Sequence, residues 1–197
     1  MAVLSHLKKP TIFVVAAPSA TGKTTMVEML LNTMGDKLVR AITATSRPPR
    51  EGEVHGEHYY FYPGGEFERK IKEDFFIEYV NVHGKNYGLP KHELERLLSS
   101  GKSPVLVIEL EGILSIREKV SKDLYSKVVD IFLLPPSEEE LVRRMKKRGA
   151  VSEEEIKTRL ETMRVEMQNK DKFSHQVLND DLDKAFQEVL RIVESNL

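Results

Sequence analysis

Apolar residues in this chain come in short blocks separated by polar stretches of helical period. Ile12-Phe13-Val14-Val15-Ala16, Val105-Leu106-Val107-Ile108 and the run over residues 128–134 are almost continuously apolar, as expected of strands covered on both faces of a parallel sheet. After the first block, Met26, Val27, Leu30 and Leu31 recur at helical spacing; near the end, Leu182, Phe186, Val189 and Val193 make the apolar stripe of a docking helix. Between these lie predicted strands over residues 38–42, 59–62 and 75–82, and a short helix over 66–74. Alternation in the third strand puts Phe76, Glu78 and Val80 on one face and Phe75, Ile77 and Tyr79 on the other. Residues 83–88 read as a turn, and Pro90 opens a helix through Leu98. Residues 111–120 read as a crossover helix. Ser137 and Ser152 look like N-caps of two further helices, each followed by an acidic first turn. A last strand runs over 175–178, with Asn179-Asp180-Asp181 as its turn. Strands alternate with helices without repeats or low-complexity segments, which predicts an α/β fold with a mostly parallel sheet flanked by helices and two insertions.

The break between the first strand and helix carries the chemistry. Ala17-Pro18-Ser19-Ala20-Thr21-Gly22-Lys23-Thr24-Thr25 follows a buried strand and opens a helix, the context of a phosphate-binding loop. Backbone N–H groups of such a loop wrap an anion, the helix presents its positive end, Lys23 can reach terminal phosphates and Thr24 can ligate Mg²⁺. Ala17 stands where the strict G-x-x-x-x-G-K-[ST] pattern has its first glycine. The plainer alternative is a turn that happens to contain Gly-Lys-Thr.

Composition narrows the partners. Among 197 residues, 30 Lys and Arg balance 31 Asp and Glu for a formal charge of −1, so no global field favours nucleic acid or a membrane surface, and an anion site must be local. The absence of cysteine removes disulfides and thiolate metal sites and fits a cytoplasmic setting. Residues 1–9 are too few for a signal peptide, and no apolar run is long enough to span a membrane. The six histidines show no metal-ligand spacing.

Other candidates are local. Arg47 and Arg50 lie three apart across Pro48-Pro49, either as solvated turn residues or as two guanidinium forks gripping a second phosphate. Glu78 is a carboxylate on an otherwise apolar strand; it either faces water at a sheet edge or receives a ligand with paired N–H donors. Glu109 ends the central apolar run, at the sheet edge where ligands sit, and could organise Mg²⁺ and its waters. Arg143, Arg144, Lys146, Lys147 and Arg148 invite a nucleic-acid reading, but Glu138–Glu140 and Glu153–Glu155 flank them and cancel a broad positive surface. Arg144 and Arg148 share a helix face that Arg159 could meet. Two charged helices with little apolar content suit a mobile lid.

Taken together, these residues resemble the guanylate kinases along nearly the whole chain. The family's T-T-R-x-x-R-x-G-E-x-x-G-x-x-Y motif, preceded by a hydroxyl residue, is matched by Thr43, Thr45, Ser46, Arg47, Arg50, Gly52, Glu53, Gly56 and Tyr59. Its F-[IL]-E and G-x-Y-Y-G are matched by Phe76-Ile77-Glu78 and residues 84–88, with Asn86 for the first tyrosine. The L-P-P-S, the basic lid signature and the V-N-D-D turn recur at residues 134–137, 144–149 and 178–181. The resemblance implies a P-loop nucleoside monophosphate kinase fold: a core (1–42, 91–137 and 172–197), a GMP-binding insertion (43–90) and a helical lid (138–171). It implies the reaction ATP + GMP ⇌ ADP + GDP with Mg²⁺. By position, Thr43, Arg47, Arg50, Glu53, Tyr59, Glu78, Tyr87 and Glu109 would bind GMP, with Glu78 reading guanine. Residues 17–25, with Arg144, Arg148 and Asn179, would bind ATP. Lys23, Arg47, Arg148 and Arg159 would serve catalysis, and Thr24 the metal. Three further positions depart from the family pattern. Ala20 replaces a usual glycine and must adopt angles glycine reaches more easily. Val107 replaces an acid, and Leu89 the Ser or Thr that helps to hold the base.

Two competing functions are a guanylate kinase-like binding module that is catalytically weak and a phosphate-loop NTPase that drives a partner. A binding module has no use for a Mg²⁺-ligating Thr24. An NTPase would leave the Arg47/Arg50 pair unexplained and would need a water-activating segment of which there is no sign.

Overall fold

The computed structural model describes residues 10–82, 84–108, 110, 112–114, 128–147 and 152–197. In chain order the first elements are β1 (Ile12–Ala16), α1 (Lys23–Met34), β2 (Leu38–Arg40), β3 (Ala44–Thr45), β4 (Tyr60–Phe61), α2 (Glu66–Lys72), β5 (Phe76–Val82) and β6 (Lys85–Pro90). They are followed by α3 (Lys91–Ser99), β7 (Ser103–Val107), β8 (Val128–Leu134), α4 (Glu138–Lys147), α5 (Glu153–Gln168), β9 (His175–Leu178) and α6 (Leu182–Ser195). Residues 110 and 112–114 are helical; the rest of the expected crossover helix lies outside the described residues.

β1 is the middle strand of a five-stranded sheet ordered β2-β7-β1-β8-β9, in which every pairing is parallel. Its continuous hydrophobicity has a direct cause: alternate residues enter two different cores. Phe13 and Val15 join Val105, Ile131 and Leu133 beneath α1 and α6. Ile12, Val14 and Ala16 join Leu106 and Phe132 on the other face, with Leu97 of α3, Leu110 and Ile113. Each large apolar side chain buried this way is worth about 1.5–3 kcal/mol relative to exposure, so a polar residue on either face of β1 would be costly. On α6 the buried stripe is Ala185, Phe186, Val189 and Val193, whereas Leu182, expected to belong to it, is 39 % exposed at the first helical position.

Beside the mostly parallel sheet stands a second one, ordered β4-β3-β6-β5, of mixed direction. It has its own small core of Ala44, Phe67 and Phe76, where the two phenyl rings stack at 4.4 Å. The expected turn over 83–88 is in fact strand from Lys85 onward. Backbone pairing on both flanks, Tyr87 with Val80 of β5 and with Thr45 of β3, outweighs the turn propensities of Asn86 and Gly88. Just before the Arg47–Arg50 turn, Ala44–Thr45 forms the β3 that β4 and β6 flank.

α4 and α5 start where the serines predicted: Ser137 Oγ accepts from Glu140 N at 3.2 Å and Ser152 Oγ from Glu155 N at 3.1 Å. They are less core-poor than their composition suggests. Leu141, Met145 and Met163 are buried together with Ala20 of the β1–α1 loop.

Candidate active site

The β1–α1 loop, the C-terminal end of β7, the second sheet and the inner faces of α4 and α5 enclose a cleft of about 820 Å³. It lies at the C-terminal edge of the parallel sheet, the edge on which open α/β folds bind ligands.

The loop is held from behind. Gly22 has φ +106°, and a Cβ there would come within 2.9 Å of Asn179 Nδ2, so both backbone and space require glycine. Asn179, itself buried, donates from Nδ2 to the Thr21 carbonyl at 2.6 Å. Thr21 N closes a turn onto the Pro18 carbonyl at 3.2 Å. Ala20 adopts φ +66°, the left-handed angle expected for a residue in a glycine position. α1 begins without a side-chain cap and without an acid in its first turn, which leaves its positive end available to an anion. Lys23, Thr24 and Thr25 line the cleft there, and the Lys23 ammonium folds back to donate to the Ala17 carbonyl.

On the opposite wall Arg47 is preorganised by a carboxylate. Its Nη1 and Nη2 donate to Glu53 Oε2 and Oε1 at 2.6 and 2.7 Å, and Nη1 also donates to the Pro48 carbonyl at 3.0 Å. Glu53 Oε2 further accepts Arg50 N at 2.7 Å. The guanidinium lies 5.1 Å from the centroid of Tyr59, whose ring is 6.2 Å from that of Tyr87. The hydrogen bonds from Arg47 hold the Glu53 carboxyl down at about 2 against the opposing effect of burial, and the Arg47 pKa is raised chiefly by the same bonds. Burial raises the Tyr59 phenol. Arg47 is thus a fixed cation with Nε–H and one Nη2–H left over from these bonds.

Glu78 is 2 % exposed on the cleft face of β5. Its Oε2 lies 3.6 Å from where a Cβ on Gly112 would sit, so the absence of a side chain at 112 keeps room beside the carboxylate. Val80 and Ile108 supply apolar wall nearby. Leu89 pairs in register with Glu78 but is buried in the core with Leu97 and Ile108 rather than lining the cleft.

Of the residues singled out in the sequence, Pro18–Thr25, Thr43, Arg47, Arg50, Glu53, Tyr59, Glu78, Tyr87 and Arg159 all border this cleft. Ala17, Asn179 and Arg144 stand behind its wall. Arg144 donates from Nε to Glu140 at 2.8 Å and approaches the Thr21 carbonyl with Nη1 at 3.4 Å. Bonds from Arg143 and then Arg144 pull the Glu140 carboxyl down to about 2. Arg159 donates to Glu155. Glu109 and Arg148 lie outside the described residues. Sequence reasoning missed Glu155, Thr162 and the buried Glu166, which line the cleft with Arg159. Their spacing of four, three and four residues is the signal, since it places all four on one face of α5. Among the described residues no group of three or more His, Cys, Asp or Glu could hold a metal ion, and no helix is long and apolar enough to cross a membrane.

Comparison with known proteins agrees with this geometry. The model of the family described as guanylate kinase matches residues 9–196. The guanylate kinase of Caldanaerobacter subterraneus subsp. tengcongensis is 39 % identical over 190 residues, covering 96 % of this chain and 89 % of that one. That of Clostridium tetani is 37 % identical over 189 residues, covering 96 % and 88 %. The crystal structure of guanylate kinase from Anaplasma phagocytophilum superposes with a TM-score of 0.75 at 28 % identity, covering 95 % of this chain and 86 % of that one. A cleft with a phosphate-type loop on one wall and a clamped arginine and a buried carboxylate on the other, in a chain that matches along almost its whole length, leads to one conclusion: the protein belongs to the guanylate kinase family.

Proposed function

We propose that the cleft carries out its family's reaction with the two walls as donor and acceptor sites. The chain is a guanylate kinase, an enzyme that transfers the terminal phosphoryl group of ATP to GMP to give ADP and GDP. The observation that carries the assignment of walls is the single cleft joining the Lys23 end of α1 to Arg47, Tyr59, Tyr87 and Glu78.

In this reading the β1–α1 loop and Lys23 hold the ATP phosphates. Arg47, Arg50, Thr43, Tyr59 and Tyr87 hold the GMP phosphate, with Glu53 keeping Arg47 in place. Glu78 accepts from guanine N1–H and N2–H₂, and Glu109 serves GMP as the family resemblance implies. Phosphoryl transfer asks little covalent chemistry of the protein; alignment of two anions and neutralisation of developing charge in a dry site are the main contributions. The acceptor phosphate is already an anion, so no general base is needed. The donor set fits a hard cation brought in by the nucleotide: Thr24 lines the cleft with an oxygen donor on its side chain, and phosphate oxygens would complete the ligands. Mg²⁺ bound there would neutralise charge on the β- and γ-phosphates.

We assign residues 138–171 as a lid that brings Arg144, Arg148 and Arg159 to the phosphates, residues 43–90 as the GMP-binding subdomain and the remainder as the core. The near-zero net charge favours small-molecule nucleotides over nucleic acid as partners, and the use of such substrates favours the cytoplasm. Lys23→Met tests the assignment. With Lys23 supplying charge stabilisation, kcat falls about 10²–10³-fold or more in a protein with unchanged thermal unfolding. Turnover close to wild type would remove Lys23 from the mechanism.

A further inference from the structure

The apolar cluster between α4 and α5 extends into the phosphate loop at Ala20. Leu141, Met145 and Met163 form its buried centre, and Ala20 is 8 % exposed within it. Ala20 and Met145 also border the same cleft. The neighbouring pair repeats the connection in polar form, since Arg144 Nη1 approaches the carbonyl of Thr21. Loop and α4 are therefore joined at two adjacent residues on each side.

Ala20 makes this joint at a conformational cost. Its φ of +66° is one that glycine adopts freely and an L-residue with a Cβ does not. The methyl group strains the backbone, and its visible return is burial in the cluster with Leu141, Met145 and Met163. These two consequences act on different equilibria. The strain belongs to the loop and is the same whether the lid is open or closed, whereas burial of the methyl exists only while α4 lies against the loop.

Taking α4 and α5 as the lid, as assigned above, we propose that the Ala20 methyl group is a positioning element that couples the phosphate loop to the lid. It holds α4 against the loop before substrate arrives and so keeps the lid arginines over the donor phosphates. An enzyme partly closed in advance loses less of its binding energy to closing. Removing the methyl group then lowers the closed fraction and weakens apparent ATP affinity. kcat is affected less, because the bound phosphates themselves draw the lid arginines in.

Ala20→Gly separates this from a purely structural role, because only loss of the coupling changes the lid. Relief of strain alone raises thermal stability and leaves lid dynamics unchanged. Loss of the coupling accelerates amide hydrogen exchange over 138–147 and 153–168 in the nucleotide-free protein, by about fourfold for one buried methyl group, while thermal stability holds or rises. KM for ATP rises by a similar factor, and by more than kcat changes. Met145→Ala shows the same rise in lid exchange and in KM for ATP, with thermal stability lowered by the cavity it leaves, and adding Ala20→Gly to it raises lid exchange no further, because both act through the one cluster that joins loop and lid. Met145→Leu, which conserves volume, stays within about twofold of wild type. Unchanged or slower lid exchange in Ala20→Gly, or effects of the two substitutions that simply multiply, would overturn the proposal. Failure of the wild type to phosphorylate GMP would refute the kinase reading instead, and the exchange measurements, made without nucleotide, would still decide the coupling.

Discussion

Arg47 is held by Glu53 through two parallel charge-assisted hydrogen bonds, and this pair carries a pH signature. The Glu53 carboxyl is lowered from 4.5 to about 2 in the folded chain. A group whose folded pKa is depressed contributes stability that is fully present above the unfolded value and lost as pH falls through the folded one. The stabilisation is thus complete above 4.5 and declines toward about 2. Glu53→Gln keeps the shape but removes the charge, so the gap in Tm between wild type and variant should be widest above 4.5 and close as pH approaches 2. At neutral pH the variant should also raise KM for GMP, by about tenfold for the loss of one charged hydrogen-bond pair. A Tm gap that does not change with pH would mean that the clamp contributes nothing through its charge.

Residue by residue, the sequence revealed chemistry better than packing. The left-handed angle at Ala20 follows from an L-residue standing in a glycine position of a phosphate loop, and the structure has it. The burial of Glu78 was one of two open readings, because alternation gives the face of a strand but not what covers that face. Leu89 is beside Glu78 in register yet turned into the core, a distinction that depends on the helix packed behind it.

At the level of elements, α4 and α5 hold the prediction that matters most for function. Among the described residues, α4 and α5 meet the rest of the molecule at Ala20 through the cluster around Met145, at the Thr21 carbonyl through Arg144 and at the sheet core through Met167, whereas the bond of Arg164 to Glu138 is internal to the pair. Elements with few buried apolar contacts open at low free-energy cost. Amide exchange over 138–147 and 153–168 should therefore slow when ATP and GMP are both bound, with little change over β1 and β8. Exchange in these helices that ignores the nucleotides would argue against a moving lid. The serine caps of these helices were legible because capping is local. The strand β6 was not, because its turn-like composition is overruled by pairing with β3 and β5, partners 40 and more residues away or across a hairpin.

For the whole molecule, the three inner strands of the parallel sheet, β7, β1 and β8, were legible because burial on both faces leaves a mark in one dimension, a run of apolar residues with no alternation. The second sheet leaves a weaker mark. β3 and β4 contribute two residues each, too short for periodicity to register, and its core is assembled from Ala44, Phe67 and Phe76 far apart in the chain. That sheet nevertheless carries Glu78 opposite the phosphate loop, so in the function proposed above recognition of the acceptor base depends on it. Adenine presents a lone pair at N1 where guanine presents a proton, and a buried carboxylate facing it would leave polar groups unmatched. The direct test is steady-state transfer from ATP to GMP and to AMP, in the wild type and in Glu78→Gln. The wild type should prefer GMP by orders of magnitude in kcat/KM, and Glu78→Gln should lose most of that preference; equal use of the two bases by the wild type, or a preference unchanged in Glu78→Gln, would contradict the account of this cleft as a guanine-reading kinase site.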